Sequence, residues 1–248
     1  MKASWVTYAD SDAYYNAAMV LWRSLKRVGT VFEFVIMVPR GFAVPTSDNE
    51  CCRTVVIKDI FRGQGTNIAC ERFRHAINKV HVWTLCDYDM ICWLDSDMIV
   101  LKNIDHLFSQ DQLLPLGWIA AAPGCLCNHF KNEKFITKAI ECPFLNKKSV
   151  YVNAGLFVTR PCMQTFAKLA DQDFDRPFAE QDVFNDFFAG RIHVLDCKYN
   201  YLNHLDIVHP NMTHPDDICI YHFCFGKPWN KNDLNVRQDL YNLWLETR

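Results

Sequence analysis

Near the middle of the chain, Ile91-Cys92-Trp93-Leu94-Asp95-Ser96-Asp97-Met98-Ile99-Val100-Leu101 sets two acids one residue apart inside an otherwise apolar, β-favouring run. A run of this kind predicts a strand buried on both faces that ends by presenting carboxylates at its tip. Side chains alternate along extended backbone, so Asp95 and Asp97 should point the same way, one to either side of Ser96, close enough to share one divalent cation. Two unpaired carboxylates beside a core are costly, so positive charge is expected with them. The chemistry that fits is a hard-metal site of the kind that holds a diphosphate.

The flanking pattern predicts an α/β fold. Ser4 to Ala9 reads as a strand, and Asp10-Ser11-Asp12 offers caps for a helix from Ala13 to Arg27. Phe34 to Val38 and Arg53 to Ile57 read as further buried strands. Strand, helix, strand, loop, strand argues for a mostly parallel sheet with crossovers, whose ligands bind beyond the carboxyl ends of the strands. Thr7 to Asp12 and Asp95 to Asp97 should therefore share one crevice, with Phe61 to Asn67 as a mobile loop beside it.

From Glu71 to Leu85 a helix is expected, with Phe73, Ile77, Val80 and Trp83 on one stripe and Arg72, His75 and Lys79 on another. A solvated basic face accounts for that second stripe equally well. Later strands are expected at Trp118–Ala122, Val150–Thr159, Ile192–Asp196 and Ile218–His222, with helices after Pro161, over Glu180–Phe188 and over Asp233–Glu246. Gly155 inside a strand pattern marks a place where another group approaches the backbone closely. The Cys-, Lys- and Asn-rich segment from Gly124 to Ser149 has little periodicity and reads as an insertion or lid.

Composition narrows the function. The 26 basic and 28 acidic residues nearly cancel and form no block, which argues against nucleic acid or an anionic membrane as the main partner. No apolar stretch reaches the roughly 18 residues needed to span a bilayer, and no leader is evident, so a cytoplasmic location is expected. The 12 Cys lack CxxC pairing and lie mostly among apolar neighbours. They read as buried free thiols in a reducing compartment, with zinc or disulfides as the alternatives. At 248 residues, half of them hydrophobic, one domain spanning 1–248 is expected.

Three further groups carry chemistry. His222-Phe223-Cys224-Phe225-Gly226-Lys227-Pro228-Trp229 joins a metal-capable imidazole to an ammonium suited to a phosphate, although taken alone it reads more simply as a core-edge histidine followed by an exposed lysine. Asn153-Ala154-Gly155 and Glu180-Gln181-Asp182 offer amides and carboxylates that grip sugar hydroxyls, although helix capping explains the latter as well.

In this order the pieces resemble the glycogenin-like retaining glycosyltransferases of the GT-A fold, glycosyltransferase family 8. The matching stretches are Trp5-Val6-Thr7 with Asp12-Ala13-Tyr14, Lys79 to Trp83, Trp93 to Asp97 running into Leu101 to Phe108, Asn153 to Phe157, Glu180 to Asp182, and His222-Phe223 with Gly226 to Trp229. The resemblance implies a nucleotide-binding half over 1–108 and an acceptor and sugar half over 109–248. It implies Asp95, Asp97 and His222 as ligands of manganese, or magnesium in its place, with Lys227 and Gly226 on the phosphates. It places Thr7 and Tyr14 along the uridine, Lys79 at the donor, and Asn153, Glu180 and Gln181 toward the transferred sugar.

Glu180 stands where that family more often carries Asp, and no segment matches glycogenin's self-glucosylated tyrosine. The implied reaction moves a sugar from a UDP-sugar to a glycan or other hydroxyl acceptor, and a homodimer is compatible with it. A sugar nucleotidyltransferase is the rival enzyme, but its Gly-rich basic loop is missing where Ala9-Asp10-Ser11-Asp12 stands. A nucleotide-sugar or glycan-binding module without turnover is the rival outside catalysis.

Overall fold

The computed structural model describes residues 1–45, 52–60, 67–71, 73–112, 114–127, 139–230 and 237–248. The apolar runs become strands β1 (Ala3–Tyr8), β2 (Glu33–Pro39), β3 (Arg53–Ile57), β4 (Met90–Leu94), β5 (Met98–Val100), β6 (Ile119–Pro123), β7 (Val152–Thr159), β8 (Ile192–Val194), β9 (Tyr201–Leu202) and β10 (Ile220–His222). The helices are α1 (Asp12–Arg27), α2 (Phe73–Ala76), α3 (Met163–Ala170), α4 (Glu180–Phe187), α5 (Leu205–Val208) and α6 (Gln238–Thr247).

A seven-stranded sheet runs β3-β2-β1-β4-β7-β6-β8, and a three-stranded sheet runs β5-β10-β9. β3, β2, β1 and β4 are parallel neighbours, while β7 is antiparallel to both β4 and β6. The architecture is the expected mixed, mostly parallel α/β sheet flanked by helices. Both faces of the large sheet are covered, which is why its strands are continuous apolar runs. Trp5, Phe34, Ile36, Met90 and Cys92 pack on one side. Val6, Val35, Met37, Ile91, Trp93 and Phe157 pack on the other.

The acid-bearing run is not one strand. It breaks after Leu94, turns through Asp95, Ser96 and Asp97, and resumes as β5 in the smaller sheet. The turn is tied at both ends: Asp95 N–H donates to Gly155 O at 2.8 Å, and Phe223 N–H donates to Asp97 O at 2.9 Å. The acids thus stand at the junction of two sheets. Ser24 of α1 helps fix that junction, because its hydroxyl donates to Leu21 O at 2.7 Å and accepts Val100 N–H of β5 at 3.0 Å.

The helix expected over Glu71–Leu85 is instead the short α2 followed by a 3₁₀ helix over Ile77–Thr84. With about three residues per turn, Ile77, Val80 and Trp83 line up and are buried. The tighter pitch also splits the expected basic face. His75 stays exposed, 3.4 Å from Asp10, whereas the Lys79 side chain is 3% exposed. Arg72 lies outside the described residues, as do 61–66 of the expected loop and 128–138 of the expected lid. Beneath the junction, Trp83 stacks on Phe157 at 5.4 Å between centroids and Phe157 on Trp93 at 6.2 Å, giving the site a stiff aromatic floor. No helix among the described residues is long and apolar enough to cross a membrane.

Candidate active site

A cavity of about 350 Å³ opens at the junction of the two sheets. Of the residues picked from sequence, Tyr14, Lys79, Asp95, Ser96, Asp97, Asn153, Glu180, Gln181, His222 and Lys227 line it. Two do not. Thr7 is fully buried, and Tyr8 lines the cavity instead, since consecutive residues of β1 face opposite sides. Gly226 is buried with φ 144°, a backbone value open to glycine, where the chain turns between Phe225 and Lys227.

Each acid has one oxygen held and the other aimed inward. Asp95 Oδ1 accepts from Trp93 Nε1 at 2.7 Å and from Lys79 Nζ at 3.1 Å, while its Oδ2 lies 3.9 Å from His222 Nε2. Asp97 Oδ2 pairs with the Lys227 ammonium, while its Oδ1 lies 3.3 Å from the same imidazole nitrogen. Burial alone would raise the Asp97 carboxyl, but Lys227 and His222 hold it well below the usual carboxylate range.

The orientation of His222 follows from a chain of amides anchored on backbone. Gly155 N–H can only donate, and it gives to Asn153 Oδ1 at 2.9 Å, which fixes the orientation of that amide. Asn200 Nδ2 donates to the same oxygen at 2.8 Å, so Asn200 Oδ1 faces His222 Nδ1 at 2.9 Å. Nδ1 therefore carries a proton, and Nε2 faces the two acids. The same network continues as Asn153 Nδ2 donates to Gln181 Oε1 at 2.7 Å and Gln181 Nε2 donates to Tyr151 OH at 2.9 Å.

These atoms suit a divalent cation: one donor atom each from Asp95, Asp97 and His222 lies within 4.8 Å of the others. Hard oxygens with one imidazole are a donor set that manganese or magnesium accepts.

Lys79 and Glu180 form the second part of the site. Lys79 Nζ lies 2.7 Å from Glu180 Oε1 and donates to Ala154 O at 3.1 Å. Burial opposes its charge, yet Asp95 and Glu180 together hold its pKa above the ordinary lysine value. Burial pushes the Glu180 carboxyl up despite that lysine. Among the described residues Glu180 Oε2 is buried without a hydrogen-bond partner, although the residue lines the cavity. Immediately before it, the buried Ala179 sits at φ 43°, ψ −114°, a strained backbone that sets the direction in which α4 begins.

Gly155 admits the imidazole, as its place in a strand pattern foretold. A Cβ there would lie 2.5 Å from His222 Cε1 and 2.7 Å from Asn153 Oδ1. Gly155→Ala is therefore expected to destabilise the fold by about 1–3 kcal/mol, read as a lower urea midpoint at unchanged slope. An unchanged midpoint would show that the His222 ring has room to move.

Sequence reasoning missed Asn200, Tyr8 and the part played by Trp93. An isolated Asn carries no spacing signal. Trp93, however, stands two residues before Asp95, and alternation could have placed its indole on the same side.

The glycosyl transferase family 8 model matches residues 75–233. The chain belongs to that family. The match includes every lining residue named above except Tyr8 and Tyr14. Galactinol synthase 6 of Arabidopsis thaliana is 25% identical over 263 residues, covering 96% of this chain and 76% of that protein. Galactinol synthase 2 of Solanum lycopersicum is 26% identical over 264 residues, with the same shares covered. Among solved structures, the galactosyltransferase LgtC, in complex with donor and acceptor sugar analogues, superposes with TM-score 0.67 at 17% identity, over 98% of this chain and 95% of LgtC. The glycosyltransferase GlyE of Streptococcus pneumoniae superposes with TM-score 0.66 at 19% identity, over 100% of this chain and 60% of that one. At those identities the superpositions establish a shared fold, that of GT-A glycosyltransferases.

Proposed function

We propose that this family 8 glycosyltransferase moves a sugar from a UDP-sugar to a hydroxyl of a glycan or other acceptor, with retention of configuration. The observation that carries this reading is the convergence of Asp95 Oδ2, Asp97 Oδ1 and His222 Nε2 in one cavity with Lys227 and Glu180. Asp95, Asp97 and His222 would hold manganese, or magnesium in its place, which when bound supplies a Lewis acid to the diphosphate.

The chain's own groups do the rest. Residues 1–108 supply the nucleotide-binding half, with Tyr14 and Tyr8 as ring walls for the uridine. Lys227 stabilises negative charge on the departing phosphate. Glu180 offers its unpartnered oxygen to a sugar hydroxyl and, as a carboxylate, supports the oxocarbenium-like sugar as the bond to the diphosphate breaks. Gln181, held by Asn153 and Tyr151, orders that side of the cavity. Residues 109–248 shape the sugar and acceptor side. No disulfide joins the described cysteines, which suits a reducing, cytoplasmic setting, although only Cys92, Cys142 and Cys219 among them are buried.

The names of the relatives and of LgtC make galactose the first donor sugar to try. Purified chain incubated with manganese and a panel of UDP-sugars headed by UDP-galactose is expected to release UDP steadily, and to stop when the metal is chelated. Thermal stabilisation by a UDP-sugar without any UDP release would instead identify a binding module. Formation of UDP-sugar from UTP and a sugar phosphate would identify a nucleotidyltransferase.

A further inference from the structure

A second cluster of ligating side chains lies outside the acid and imidazole site. Cys125 and Cys127 follow β6, Cys142 follows a 3₁₀ turn over Ala139–Glu141, and His209 caps the end of α5. One donor atom from each lies within 4.8 Å of all the others. His209 Nε2 is 3.4 Å from Cys125 Sγ and 3.6 Å from Cys142 Sγ. Around a tetrahedral zinc, bonds of about 2.3 Å to sulfur and about 2.0–2.1 Å to nitrogen put neighbouring sulfur and nitrogen about 3.6 Å apart. The measured separations match that edge.

One imidazole nitrogen has either one proton or one lone pair, so it serves only one of the two sulfurs, and the thiols otherwise meet one another and backbone N–H groups around the same centre. A cation satisfies all four groups together. Three sulfurs and one imidazole select zinc over the hard cations suited to the aspartates. Supporting contacts are in place as well. Cys125 Sγ accepts Cys127 N–H at 3.4 Å, and the Phe144 ring stacks on His209 at 5.1 Å, fixing its plane. Cys142 is 0% exposed and His209 6%, so both ligands are buried.

We infer that Cys125, Cys127, Cys142 and His209 hold a structural zinc ion, distinct from the cation site at Asp95, Asp97 and His222. Its placement gives it a role. Cys125 and Cys127 also line the cavity, so the ion would pin the loop after β6 and the turn at Cys142 against α5, fixing one wall of the cleft.

The test uses the full chain purified under reducing conditions from zinc-supplemented cells. About one zinc per chain should survive exhaustive dialysis, measured by plasma mass spectrometry. Asp97→Asn should keep it, whereas Cys142→Ser and His209→Ala should lose most of it. Cobalt put in its place in the unmutated chain should give thiolate charge-transfer and intense tetrahedral absorption, a readout that needs no variant to fold. Four results would overturn the inference: unmutated chain without zinc, zinc lost with Asp97→Asn but kept by His209→Ala, cobalt absorption without sulfur bands, or a disulfide joining two of these cysteines.

Discussion

Asp97→Asn is expected to lower metal-dependent UDP release by about 100-fold or more, the range seen when one preorganised electrostatic contact to a transition state is lost. The substitution keeps the shape of the side chain and removes its charge at the point where the two sheets meet. Asp97 is 4% exposed, and its oxygens divide between Lys227 and His222. The loss should be accompanied by a higher manganese requirement, measured by titrating the metal at saturating donor. Turnover that is unchanged at every metal concentration would reject the cation site and, with it, the proposed role of the pair of aspartates.

The largest effect on stability is expected from Lys79→Met, at about 3–5 kcal/mol of destabilisation in urea unfolding. Lys79 is the ammonium between Asp95 and Glu180, and its side chain is 3% exposed. Removing it leaves a carboxylate that burial already pushes up, next to a second acid. Combining Lys79→Met with Glu180→Gln should recover part of the loss, because the glutamine no longer needs a counter-charge. A double-mutant cycle reads that recovery as coupling of about 0.5–3 kcal/mol. A loss under about 1 kcal/mol for Lys79→Met would mean that water solvates the pair in place of lysine.

Much of the architecture was legible because burial on both faces leaves a strong mark. The runs Phe34–Val38 of β2 and Met90–Leu94 of β4 are apolar without interruption, β1 between them is broken only by Ser4 and Thr7, and the structure finds the three as parallel neighbours. Within the site, Asp95, Asp97, His222 and Lys227 were legible because charged groups at the ends of apolar strands stand out. What failed did so for local physical reasons. Apolar spacing over Ile77–Thr84 suits a 3₁₀ helix as well as an α-helix, and only packing decides the pitch. The run through Asp95 hides a change of sheet, since the turn-favouring Asp95-Ser96-Asp97 also suits the tip of one continuous strand. Asn200 works only through its partners, which are distant in sequence, so no pattern could reveal it. The thiol and imidazole cluster was obscured in the same way, its members being spread from Cys125 to His209.

Ala179 carries a consequence for how Glu180 keeps its aim across the cavity. A residue with a side chain, fully enclosed, is kept twisted the left-handed way one step upstream of Glu180, at a cost of about 1–3 kcal/mol. Glycine there would relax the torsion and at the same time loosen the pivot on which that carboxylate swings. The chain therefore trades robustness for pointing accuracy at this joint, and a variant selected only for heat tolerance would be drawn to relax it.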